Sequence, residues 1–138
     1  MRAARRTILA TAAALAVPGL ARAQPRWPNG PIRLIVTFPA GGSLDTVARL
    51  AQPHLQAELG VPVVVENRPG ASGALGTQVV ARAAPDGQSW GVVFDTHATN
   101  PALIPNIGFD TRRDLVPVML IATSPMVITC NPQRPWRD

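Results

Sequence analysis

Ser43 stands between a double glycine and a helical pattern, in the stretch Phe38-Pro39-Ala40-Gly41-Gly42-Ser43-Leu44-Asp45. Glycines at a strand-to-helix junction let a turn take positive φ and let a ligand come close to backbone amides. Ser43 is placed to cap a helix that starts at Leu44. The unpaired N–H groups and positive dipole end of such a helix suit a carboxylate or phosphate. Asp45 falls in the first turn, where it complements the dipole or, alternatively, orients the loop or meets a polar group of a ligand. The same two glycines would equally serve a tight turn that holds nothing.

Other chemistry assembles poorly. Gly70-Ala71-Ser72-Gly73-Ala74-Leu75-Gly76 follows a strand pattern and opens a helix, but its spacing is GxxGxxG and not the GxGxxG of a dinucleotide loop. Ser43, His97 and either Asp95 or Asp45 could be drawn as a triad, yet GGSLD is not the GxSxG elbow. His97, at the tip of a strand, reads as a hydrogen-bonding or packing residue, and His54 as a half-buried surface histidine. Cys130 is the single cysteine, so no internal disulfide is available, and its apolar run "MVITC" predicts a buried, inert thiol. With two histidines and no Cys/His cluster, neither a metal site nor a cofactor is expected.

The elements that must position these residues follow from pattern. Residues 1–23 carry arginines, then an alanine- and leucine-rich run, then Ala21-Arg22-Ala23, which predicts a secretory signal peptide cut before Gln24. The apolar run is too short to span a membrane, and Arg5-Arg6 fits either a Sec or a twin-arginine route to the periplasm. Four of the 13 basic residues lie in that leader, leaving the remainder nearly balanced against 8 acidic ones. No basic patch for nucleic acid remains.

Residues 32–38 read as a strand buried on both faces, and 44–59 as a helix with Val47, Leu50, Ala51, Leu55 and Leu59 on one face, ended by Gly60. Pro53 predicts a kink or a division into two pieces. A strand over 61–67, a helix over 74–84 and a strand over 89–95 follow. Beyond them lie a short helix near 101–104 and an apolar run, 118–130, that makes two strands or one bent strand. The order β-α-β-α-β predicts an α/β fold with a parallel sheet, and ligands bind such sheets beyond the carboxyl ends of the strands.

The succession "PIRLIVTFPAGGSLDTVARLAQ", "LGVPVVVENRPGASGALGTQVVARAAPDG", "HATNPALIP" and "DTRRDLVPVMLIATSPMVITCNP" resembles the extracytoplasmic solute receptors of tripartite tricarboxylate transporters, the Bug-type receptors. The resemblance covers essentially all of residues 24–138. It implies a type II periplasmic-binding-protein-like fold with two α/β lobes, of which this chain holds an incomplete N-terminal one. It also implies a non-enzymatic protein without cofactor. Such a protein captures a small carboxylate solute and delivers it to a membrane permease, with no nucleic acid partner and no membrane insertion of its own once the leader is removed. Carried onto this sequence, the carboxylate cradle is the loop from Pro39 to Asp45, with Gly41, Gly42, Ser43 and Asp45 in contact and Phe38 and Ala40 shaping the wall. Thr96 and His97 form the neighbouring loop. The chain ends at "NPQRPWRD", where such a receptor would be entering its second lobe, so the resemblance implies an open cradle and an exposed apolar sheet edge. A small exported hydrolase or transferase using the Gly41-Gly42-Ser43 anion loop is the alternative, and a fragment without function is the third reading.

Overall fold

The computed structural model describes residues 26–133; the expected signal peptide lies outside them. Three parallel strands form one sheet in the order β2-β1-β3: β1 is Ile32–Val36, β2 is Val63–Asn67 and β3 is Ser89–Val92. Leu34 is the centre of the register, paired with Val65 on one side and Trp90 on the other. As expected of a central parallel strand, Ile32, Leu34, Ile35 and Val36 are all buried.

Alternate residues of β1 serve opposite faces. Ile32, Leu34 and Val36 join Val63 and Val92 beneath Leu44 and Ala48 of helix α1, Ser43–Leu59. The other face receives helix α2, Ala74–Ala81, which packs against β1 and β3. A 3-10 turn over Ala71–Gly73 leads into α2, and a third helix, α3, spans Thr96–Leu103.

Several expectations are corrected. Helix α1 runs through Pro53 as one element, so the alternative of two separate pieces is ruled out. Pro53 and Arg49 are both exposed, so the carbonyl that loses its N–H donor is within reach of water. Leu50 lies off the buried stripe and is 67% exposed, because it is about 200° around the helix from Ala48. Gly60 does end the helix, at φ 68° with its N–H on the Gln56 carbonyl. Helix α3 starts at Thr96 and not near Pro101, because Asp95 caps a first turn ahead of the proline and its side chain accepts the Thr96 N–H. Residues 118–130 form no regular strand; Val118, Met119, Leu120, Met126, Val127 and Ile128 are exposed, lacking a partner strand among the described residues. Cys130, on that segment, is consequently exposed and not buried, and His54 is likewise exposed.

Candidate functional site

At the carboxyl end of β1 the chain turns through Thr37 and Phe38 into the double glycine. Gly41 takes φ 82°, a left-handed conformation that a side chain would strain, and the Gly42 N–H closes a turn on the Pro39 carbonyl at 3.3 Å. Helix α1 begins at once. Its first intrahelical bond is made by Thr46 N–H to the Gly42 carbonyl at 2.9 Å, which leaves the amides of Ser43, Leu44 and Asp45 without a backbone acceptor among the described residues. Ser43 is therefore the first helical residue, and the N-cap is Gly42, with no side-chain capping bond. The expected capping role of Ser43 is thus corrected. A glycine in extended conformation fills that position, and Ser43 is exposed.

Asp45 is 4% exposed, and both of its carboxylate oxygens are engaged. It accepts the Gly41 N–H at 2.9 Å, Arg49 Nε at 3.0 Å and Asn67 Nδ2 at 3.0 Å. Hydrogen bonds from Arg49 first, then from Gly41 and Asn67, hold its pKa down from 3.8 to about 2. Of the two roles open to Asp45 in the sequence, the geometry displays loop orientation: its carboxylate is spent on the loop and on α1.

Three loops meet at this end of the sheet. The ring of Phe38 meets Phe94, just after β3, edge-on at 4.9 Å between centroids. The glycine turn after β2 closes on the same ring, since a Cβ added at Gly73 would stand 3.1 Å from Phe38 Cε2. Asn100 of α3, 3% exposed, donates to the Ser72 carbonyl at 2.9 Å and ties the third loop to the second. That second turn is a tight one: Gly70, Ala71, Ser72 and Gly73 all have positive φ.

Of the residues singled out in the sequence, the structure brings together Phe38, Ala40, Gly41, Gly42, Ser43 and Asp45 in one exposed loop and helix start, with Asp45 beneath them. Thr96 begins the adjacent helix and binds Asp95 through its N–H. His97 belongs elsewhere. Its ring stacks on Phe109 at 6.1 Å and 7°, its burial lowers its pKa, and it lines a lateral cleft of about 1390 Å³ that includes none of residues 38–45. No hydrogen bond joins Ser43, His97 and an aspartate among the described residues, so the triad drawn from sequence is not formed: Asp45 is held by Arg49 and Gly41, and Asp95 by Thr96.

Sequence reasoning missed Arg49, Asn67 and Asn100. Asn67 had a detectable signal: a polar carboxamide ending an apolar strand, VVVEN, at the level where the neighbouring strand enters its loop.

Among the described residues, no helix is long and apolar enough to cross a membrane and no group of His, Cys, Asp and Glu could hold a metal ion. Comparison with known proteins places these features in a family. Residues 47–138 match the tripartite tricarboxylate transporter family receptor. Protein BugT of Bordetella pertussis is 41% identical over 109 residues, covering 78% of this chain and 33% of its own. A protein encoded between tcbD and tcbE in Pseudomonas sp. is 36% identical and covers 97% of this chain, the glycine loop included. The chain thus spans between 33% and 40% of the length of these curated relatives. Among solved structures, the periplasmic binding protein BugD is 43% identical with a TM-score of 0.58, over 61% of this chain and 28% of BugD. MatC of Rhodopseudomonas palustris, solved with bound malate, is 36% identical with a TM-score of 0.57, over 64% of this chain and 30% of MatC. By the family match and these shared folds, the chain belongs to the receptor family of the tripartite tricarboxylate transporters.

Proposed function

We propose that the chain forms the N-terminal lobe, residues 24–138, of a periplasmic receptor that captures a small carboxylated organic acid for a tripartite tricarboxylate-type permease. The observation that carries this reading is the start of α1. A double-glycine turn at the carboxyl end of the central strand sets the first-turn amides of Ser43, Leu44 and Asp45 toward one exposed loop, a geometry suited to a carboxylate. Ser43 adds a free hydroxyl, and Phe38 with Phe94 supplies an apolar wall for the carbon skeleton. The malate held by a relative of the same fold supports the solute class. Thr96 borders the site at the next loop, and His97 contributes through the packing of that loop. Residues 1–23 act as the export signal, and the ligand is released unchanged to the membrane partner.

The test is calorimetric titration of the protein from its native cell envelope with malate, succinate, citrate and adipate, followed by NMR of the recovered acid. Saturable binding of at least one acid, recovered intact, is the expected result. Heat with accumulating product would point to an exported hydrolase or transferase, and silence toward every acid would remove the carboxylate reading.

A further inference from the structure

Asn67 is the last residue of β2 and pairs in register with Val36, the last residue of β1. From that position its amide group donates to the Phe38 carbonyl at 3.2 Å and to Asp45 Oδ1 at 3.0 Å, while its own oxygen accepts from Arg49 Nη2 at 3.3 Å. The carboxamide thus uses two N–H donors and one acceptor within a single constellation. One bond grips the entrance of the glycine loop, at Phe38. The other grips Asp45, which in turn holds the Gly41 N–H at the loop's apex.

This arrangement also addresses an electrostatic conflict. A carboxylate beside an anion-binding loop repels the ligand unless its charge is taken up. Asp45 is surrounded by donors from Arg49, Gly41 and Asn67, so its charge is spent inward. Only a side chain with donors on one arm and an acceptor on the other can serve Phe38, Asp45 and Arg49 together. An aspartate at 67 would lose both donors and set a second carboxylate against the first.

We infer that Asn67 is the positioning residue of the anion loop: acting through Asp45, it fixes the turn that presents the first-turn amides of α1 to the solute. The ligand half of this inference rests on the carboxylate-receptor reading; the loop half rests on geometry alone.

The test uses Asn67→Asp, Asp45→Asn and the pair carrying both changes. Malate affinity and the hydrogen-exchange rate of the Gly41 amide are measured for each. Asn67→Asp is expected to weaken malate by about tenfold or more and to speed Gly41 exchange. The swapped pair again sets one carboxamide against one carboxylate at the 45–67 contact but still lacks the donor to the Phe38 carbonyl, so it relieves the charge repulsion and recovers part of the affinity while Gly41 exchange stays faster than in the wild type. If Asn67→Asp does not fold, Asn67→Ser, which keeps one donor, gives an intermediate exchange rate. A wild-type Gly41 rate in either single variant of Asn67 overturns the inference, as does a swapped pair that binds no better than Asn67→Asp. A wild-type protein that ignores malate and the other acids, with Gly41 exchange still governed by Asn67, removes the receptor reading and leaves the loop-positioning role standing.

Discussion

The Asp45 carboxylate accepts the backbone N–H of Gly41 at 2.9 Å, so a side chain in the first turn of α1 holds the apex of the loop that precedes its own helix. Because this carboxylate is ionised down to a pKa of about 2, against 3.8 for a free one, its contribution is a function of pH. A depressed folded pKa gives stability that is complete above the unfolded value and is lost as pH falls through the folded one. Asp45→Asn should therefore flatten the acid limb of stability between those two values, with Glu66, also lowered to about 2 by Arg33, and Asp114, lowered by Arg113, adding to the remaining slope. Urea unfolding followed across that range checks the expectation; an unchanged slope would contradict it.

Ser43→Ala separates folding from binding. The hydroxyl makes no capping bond, so stability should change by less than about 0.5 kcal/mol, where loss of a true serine cap costs about 1. On the proposed carboxylate-receptor reading, affinity for the captured acid should fall several-fold. Thermal unfolding and calorimetry on the same variant read the two effects, and a large loss of stability would restore the capping role.

Gly76 of α2 has no room for a methyl group. An added Cβ would stand 2.7 Å from the Arg68 carbonyl and 2.9 Å from Thr37 Cγ2. Gly76→Ala should cost about 1–3 kcal/mol despite alanine's better helix propensity. At Gly60 the space is open and only the positive φ is strained, so Gly60→Ala should cost less, about 1 kcal/mol. Equal losses in denaturant titrations would argue against the close approach of α2 to β1.

Thr37 is buried, and its hydroxyl donates to the Val92 carbonyl at 3.1 Å. That carbonyl also accepts the Thr37 N–H at 3.3 Å, so Thr37→Val leaves it partly satisfied. The expected loss is about 1 kcal/mol, and it should appear with faster amide exchange at the carboxyl end of β3.

His97 offers a second pH handle. Burial lowers its pKa below 6.5, so its contribution is complete above that value and declines as the pH falls through the folded one. NMR titration of the ring checks the direction, and a value above 6.5 would place a carboxylate against it.

How much of this was legible beforehand depended on the range of the interactions involved. The central strand announced itself because Ile32, Leu34, Ile35 and Val36 leave no polar face, and α1 because Val47, Leu50, Ala51, Leu55 and Leu59 recur at helical spacing, although the buried stripe runs through Leu44 and Ala48 and leaves Leu50 outside. The glycine loop was legible from local chemistry. The start of α3 was hidden because Pro101 imitates a first helical residue, whereas Asp95 had already capped the turn. Residues 118–130 carry a strand's composition, but composition does not name a neighbour, and pairing is what makes a strand. Asn67 and Asp45 lie 22 residues apart, and a bond across that separation becomes visible only once the parallel register is known.

The order β2-β1-β3 places the first strand of the chain in the middle of the sheet. During synthesis β1 emerges before either of its flanking partners, and its pairing with β3 joins residues as far apart as Arg33 and Ser89. Such non-local closure is slow. Until it happens, Ile32 to Val36 form an unprotected aggregation-prone segment, the kind of stretch that chaperones hold. Folding of this sheet is therefore timed by the arrival of its third strand, and a variant that delays β3 should show itself first as lost yield, before any defect in the folded protein can be measured.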